Sequence, residues 1–228
     1  MIANFVESLD GVVALESAQE SGARVSFGKD SDHFVMGLLR ACADAIVIGA
    51  GTFRRSPTHL WLPERIYPAA AAEFAAARAA LALSREPQLV LVSASGKLDP
   101  AAPALARAII VTSREGEQRL AGRVPSSTKI WAYEGALALR AVIERLRAEG
   151  ARVILSEGGP DLFSQLVAEG LLDELFVTLS PGLFGRFAGD QRRALTHGKD
   201  LGGVRLELLS ARRDGSHLFL RYSARSPT

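Results

Sequence analysis

The sequence predicts an α/β domain: a mostly parallel central sheet with helices on both faces and an antiparallel hairpin at the C-terminal end. Three observations predict it. Short apolar runs such as Ala45–Gly49 and Ala108–Thr112 alternate with amphipathic stretches such as Leu137–Arg147, and strands alternating with helices build parallel sheets covered on both sides. Several of those runs end in small or glycine-rich turns, at 49–52, 93–96, 112–116 and 156–160; in open α/β sheets, ligands bind outside the carboxyl ends of strands. Val204–Ser210 and His217–Tyr222 flank Asp214-Gly215, a hairpin signal.

Ile2 to Val6 reads as the first strand, leading into Ser8-Leu9-Asp10-Gly11 and Val12-Val13-Ala14, and the polar residues 15–26 read as a loop. A helix starts at Lys29-Asp30-Ser31-Asp32, capped by Ser31 or Asp30, with Phe34, Val35, Leu38 and Leu39 as its apolar stripe. Ala45–Gly49 is a buried strand ending in Gly49-Ala50-Gly51-Thr52. Residues 54–68 hold three prolines and read as a long ordered loop over a site. Ala69–Leu83 is an alanine-rich helix, and Pro87–Val92, Ala108–Thr112 and Ile130–Ala132 are strands. Leu137–Arg147 turns Leu139, Val142, Ile143 and Leu146 inward and stops before Gly150. Val153–Leu155 runs through Ser156-Glu157-Gly158-Gly159-Pro160 into a helix, and Leu175–Leu179 is the strand beyond it. No domain boundary stands out, so residues 1–228, with a core of about 2–222, read as one domain.

Composition narrows the function classes. A formal charge of +2 is too small to argue for a nucleic acid or a membrane surface. The single Cys42 excludes an internal disulfide and reads as a buried structural thiol. The four histidines, His33, His59, His197 and His217, are scattered, so no metal site is expected. No secretory h-region and no run of 18 apolar residues occurs, and a cytoplasmic location is expected. The GxGxxG, GxxxxGK[ST] and GxSxG patterns are all missing.

The residues that remain point to an anion. At Gly158-Gly159 the backbone can approach a ligand closely, and Pro160 presets the first helical turn. The N–H groups of Asp161, Leu162 and Phe163 then offer a phosphate or pyrophosphate site. Gly49, Gly51 and Thr52 form a second such turn. Thr112-Ser113-Arg114 offers hydroxyls and a guanidinium suited to a ribose 2′-phosphate. Asp10 and Glu157 are the carboxylates at strand ends beside this rim, and either can assist proton transfer or hold a substrate amino group.

Ser8-Leu9-Asp10-Gly11, the run Leu39 to Thr52 (LRACADAIVIGAGT), Glu157-Gly158-Gly159-Pro160, Leu171-Leu172-Asp173-Glu174-Leu175 and Ser180-Pro181 together resemble the reductase domain of the bifunctional riboflavin-biosynthesis deaminase–reductase, in the dihydrofolate-reductase-like superfamily. The resemblance spans residues 2–222. It implies a dihydrofolate-reductase-like fold, NADPH as hydride donor, a homodimer, and reduction of the ribosyl group of a 5-amino-6-(5-phosphoribosylamino)uracil compound to ribityl. It carries cofactor contacts onto Val6, Thr52, Ser93 and the helix start from Gly159 to Gln165, and substrate contacts onto Glu157, Arg40, Ser26 and Leu60. The chain departs from the family on the substrate side. Asn4 stands where many members have lysine, the loop after Thr52 is one residue shorter, the 12–26 loop is longer, and Arg65 is a guess for a substrate arginine. The zinc-binding deaminase half is absent, so no deamination is expected. Other readings are a same-fold reductase of a dihydropterin or another carbonyl, one that uses a deazaflavin, or a non-catalytic nucleotide-binding module.

Overall fold

The computed structural model describes residues 1–15, 21–187, 189 and 192–224. Among them one sheet holds β1 (Ile2–Ser8), β2 (Ala45–Gly49), β3 (Gln88–Val92), β4 (Ala108–Ser113), β5 (Lys129–Tyr133), β6 (Ile154–Ser156), β7 (Glu174–Ser180), β8 (Glu207–Asp214) and β9 (His217–Ser223). Their order is β5-β4-β3-β2-β6-β1-β7-β9-β8. The strands from β5 to β7 pair in parallel, and the hairpin β8–β9 is added antiparallel to β7. The fold is the expected α/β architecture with its terminal hairpin.

Central strands carry apolar side chains on both faces, as a doubly covered parallel sheet requires. Ala45, Val47, Val90, Ile109, Val111 and Ile154 meet α7 (Leu139–Ala148) and α8 (Pro160–Ala168) through Leu139, Val142, Ile143, Leu146, Leu162 and Leu166. Ile46, Ile48, Leu89, Leu91, Ile110 and Leu155 meet Leu39 of α2 (Asp30–Cys42), Phe53 of α3 (Ala50–Arg55) and Leu120 of α6 (Arg114–Leu120) on the other face.

β6 lies between β1 and β2, with Ser156 in register with both Ala3 and Val47. The carboxyl ends of these three strands therefore share one rim, where the chain leaves β6 through Glu157, Gly158 and Gly159 into α8.

Several local expectations give way. The 54–68 stretch contains the end of α3, the short helix α4 (Pro63–Ile66) and the start of a 3₁₀ turn at Pro68–Ala70 that leads into α5 (Ala71–Ala80). The 15–26 stretch contains α1 (Ser21–Val25); residues 16–20 of it lie outside the described residues. The turn after β4 opens into α6. The stripe expected on α2 is turned: Phe34 and Leu38 are each 40% exposed, while Asp32 and Arg40 are buried. The cause is α5, whose Phe74 ring packs on Gly37 so closely that a Cβ there would lie 2.7 Å from it. Phe34 meets Tyr67 edge-on and Phe74 with a tilted ring. Lys29, and neither Ser31 nor Asp30, occupies the N-cap position.

Candidate active site

Two clefts open on the rim. The first, of about 330 Å³, is lined by β1 (Asn4, Phe5, Val6), α2 (Asp32, His33, Met36, Arg40), His59, Trp61 and Arg65 from the 56–66 segment, and Glu157 with Gly158. The second, of about 320 Å³, is lined by Gly49, Ala50, Gly51, Arg54, Val92, Asp161, Leu162, Gln165 and Arg193. Thr52, Arg55, Gly159 and Pro160 line both and mark the junction.

The second cleft has the donors of an anion site. Gly159 caps α8 with extended backbone and no side-chain hydrogen bond, and Pro160 takes the first turn. The amides of Asp161 and Leu162 have no acceptor among the described residues, and they carry the positive end of the helix dipole. Phe163 differs from expectation: its N–H donates to Gly159 O at 3.0 Å, and its ring packs against Phe5 in the core. Leu162 likewise offers only its amide, since its side chain is buried. Arg54 and Arg55 form no salt bridge among the described residues, while Arg193 pairs with Asp161 at 3.0 Å. Burial first, then the nearby Arg193 and Arg54, pushes the Arg55 pKa down, and Asp161 offsets this in part. A diphosphate suits this set of positive groups. Gly51 has open space where a Cβ would point. Gly158 is small for a different reason, because a Cβ there would lie 3.0 Å from the Leu162 Cβ.

The first cleft is organised by Arg40. Its Nε donates to Glu157 Oε1 at 2.8 Å and its Nη2 to Oε2 at 2.6 Å, a fork-to-fork pair. Its Nη1 donates to Leu62 O at 3.3 Å and lies 3.0 Å from His59 Nε2. A guanidinium only donates, so Nε2 accepts and the His59 proton sits on Nδ1. Burial, followed by the Arg40 charge, lowers the His59 pKa to about 4. Arg40 is only 2% exposed. The expected substrate-binding arginine is thus an internal clamp on Glu157, because its donors are already used.

Asp32, not singled out by sequence reasoning, is the other carboxylate of this cleft and is 3% exposed. Burial raises its pKa, while the Thr178 hydroxyl, His33, His217 and the Ser26 hydroxyl pull it back. The sequence did hold a signal: Asp32, Met36 and Arg40 are spaced by four and share one helix face. Asn4, 7% exposed, has no hydrogen bond to its amide among the described residues.

Other expected site residues fall elsewhere. Asp10 lines neither cleft. It accepts from the Ser8 hydroxyl and from the amides of Phe184 (3.1 Å) and Gly185 (2.6 Å), tying the β1 turn to the loop after β7. The Ser8 bond is the main cause that lowers its pKa. Thr112 is fully buried and donates to Ala94 O at 3.2 Å, while Ser113 Oγ accepts from Gly116 N at 3.1 Å as the cap of α6. Arg114 pairs with Glu117 at 3.0 Å on the surface. The turns at 93–96 and 112–116 pack on each other, since a Cβ on Gly96 would lie 2.7 Å from Gly116 O. They are joined for packing, and no cleft separates them. Ser26 is buried, donating to Ala23 O at 3.2 Å. Leu60 gives its carbonyl to Arg107 at 3.1 Å and its side chain to the core. Val6 does line the first cleft. Ser93 follows Val92 of the second, its hydroxyl buried without a partner among the described residues. Also among the described residues, no group of three or more His, Cys, Asp or Glu is placed to hold a metal ion, and no helix is long and apolar enough to cross a membrane.

An open α/β sheet whose strand ends lead into a cleft lined by helix amides and arginines, joined to one lined by carboxylates, has the layout of a ligand-binding α/β domain. The chain belongs to the RibD C-terminal domain family, whose model matches residues 1–220. It is 27% identical over 186 residues to the 2,5-diamino-6-ribosylamino-4(3H)-pyrimidinone 5′-phosphate reductase of Archaeoglobus fulgidus, covering 80% of each chain. It is similar in structure to a pyrimidine reductase-like protein from Corynebacterium diphtheriae, with TM-score 0.75, 26% identity, and 97% and 90% of the two chains covered. Dihydrofolate reductase from Schistosoma mansoni shares the fold at TM-score 0.51 and 11% identity, over 98% and 97% of the chains. The homology is to reductases and supports an oxidoreductase.

Proposed function

We propose that the chain is an NADPH-dependent reductase of riboflavin biosynthesis. It would convert the ribosyl group of a 6-(5-phosphoribosylamino)pyrimidine to ribityl, the ring being either a 5-aminouracil or the 2,5-diaminopyrimidinone named for the archaeal relative. The observation that carries this reading is the junction at Thr52, Gly159 and Pro160, where a cleft lined by free helix amides and arginines meets one lined by Glu157 and the buried Asp32.

The Asp161 and Leu162 amides, Arg54 and Arg55 would hold the coenzyme diphosphate, with Gly51 leaving it room and Ser93 further along the rim. When bound, the coenzyme supplies a hydride to the substrate carbon at the junction. The ribosylamine opens to a C1′=N imine; two electrons arrive at C1′ with that hydride, and a proton goes to the nitrogen. Glu157, fixed in direction by Arg40, accepts a hydrogen bond from a substrate N–H and orients the imine carbon. Asp10, outside the clefts, has no part in this scheme. The reading also includes a cytoplasmic homodimer.

The test is NADPH oxidation with both phosphoribosylaminopyrimidines, wild type against Glu157→Gln. Loss of a charge-assisted contact predicts a drop in kcat/KM of about 10- to 100-fold, with NADPH affinity kept. Turnover of neither compound, or full activity in the variant, overturns the respective claim. Rescue of a riboflavin auxotroph lacking the reductase checks the pathway.

A further inference from the structure

We propose that Arg193 binds the coenzyme diphosphate, and that in the free chain Asp161 holds this arginine as an internal stand-in for a phosphate. This rests on the reading of the second cleft as the coenzyme site; it adds a residue to that site and a competition within it.

The charged side chains that line the second cleft are Arg54, Arg55, Arg193 and Asp161, an excess of positive charge with one carboxylate set against it. Arg54 and Arg55 come from α3 on one side, and Arg193 comes from the chain beyond β7 on the other. The arginines crowd one another, for Arg193 and Arg54 both act with burial to lower the Arg55 pKa. Like charges brought together on a cleft wall are relieved by an anion between them.

Asp161 now takes that place in part. Arg193 Nη1 donates to its Oδ1 at 3.0 Å and its Oδ2 at 3.1 Å. The carboxylate stands in the first turn of α8, where the helix dipole favours a negative group. The pair is not needed to fasten the segment that carries Arg193. Arg193 N donates to Ala14 O at 3.0 Å, Val13 N donates to Arg193 O at 2.9 Å, and His197 N donates to the Ser164 hydroxyl of α8 at 2.7 Å. The backbone is thus fixed beside the cleft, and only the Arg193 side chain has to turn.

The exchange is cheap on one side and favourable on the other. The Asp161 side chain is 69% exposed and that of Arg193 28%, so water screens their attraction and the pair contributes little. A guanidinium fork fits two phosphate oxygens as well as it fits a carboxylate, and the diphosphate brings a charge on each phosphate. Released, Asp161 is hydrated, with His197 Nε2 3.9 Å from its Oδ1.

The experiment is calorimetric titration of the full chain with inorganic pyrophosphate and, separately, with NADPH, for wild type, Arg193→Gln and Asp161→Asn. Arg193→Gln is expected to bind both about tenfold more weakly. Asp161→Asn is expected to bind both more tightly, by about threefold, because the competitor for Arg193 is gone. A pair that served only the fold would weaken binding in both variants. Affinity within about twofold of wild type in Arg193→Gln overturns the proposal, as does unchanged or weaker binding in Asp161→Asn. If Arg193→Gln does not fold, Asp161→Asn decides alone. NADPH binding that neither variant alters sinks this proposal and leaves the coenzyme reading intact. The expected pyrophosphate shifts without NADPH binding do the reverse, and wild type that binds neither probe overturns both.

Discussion

Arg40, Glu157 and His59 work as one unit. The Arg40 charge is buried, and each of its nitrogens has a partner: Glu157, Leu62 O, His59 or the Met36 sulfur. Removing one member of a buried ion pair leaves the other uncompensated, so Arg40→Met is expected to cost about 3–5 kcal/mol of stability, read by urea unfolding. His59 adds a pH dependence. Its folded-state pKa of about 4 lies below the ordinary 6.5, so the unfolded chain binds a proton here first as the pH falls. The contribution is fully present above pH 6.5 and is lost towards pH 4, by up to about 3 kcal/mol. Asp32 acts with the opposite sign, because its raised pKa favours the folded state in acid. Urea titrations from pH 7.5 to about 4 should show a shallower acid loss in His59→Gln than in wild type. Equal slopes would remove His59 as the cause.

At the scale of elements, the rim depends on how two glycine turns meet. Gly51 sits in the first turn of α3 with empty space beside it, whereas Gly158 is pressed on Leu162 of α8. The two therefore respond differently to a methyl group. Gly51→Ala should leave stability unchanged or raise it by up to about 1 kcal/mol, yet weaken NADPH binding about tenfold by filling the second cleft. Gly158→Ala should destabilise by about 1–3 kcal/mol through overpacking. Melting curves paired with NADPH titration separate these outcomes, and a Gly51→Ala variant with wild-type affinity would place the diphosphate elsewhere. The same scale explains why α2 was half legible. Its period marks a helix, but the buried side is fixed by the Gly37–Phe74 contact with α5, some 37 positions along the chain.

For the whole molecule, the hairpin is the open question of assembly. Leu171, Leu172 and Leu175 are buried in the core of a single chain, so these side chains are not surface of a single copy. β8 is exposed over nearly its whole length, with Leu208 at 52% and Leu209 at 45%. Two adjacent exposed leucines on an edge strand are a candidate contact for a second copy. Light scattering should give about twice the chain mass of 24.3 kDa, and Leu208→Glu should shift it towards the monomer. A wild-type monomer at working concentration would exclude the homodimer.

The sequence by itself determined the layered α/β sheet, the hairpin, and the turn from Glu157 to Pro160 that starts α8. Each is written in local periodicity or in glycine and proline chemistry, which need no distant partner. Only the tertiary structure decided what those residues do. It turned Arg40 inward as a clamp, moved Asp10 and Thr112 out of the clefts, and put Asp32 on the wall of the first one. These outcomes depend on contacts between segments tens to more than a hundred residues apart, and on burial, which a pattern of residue types does not encode.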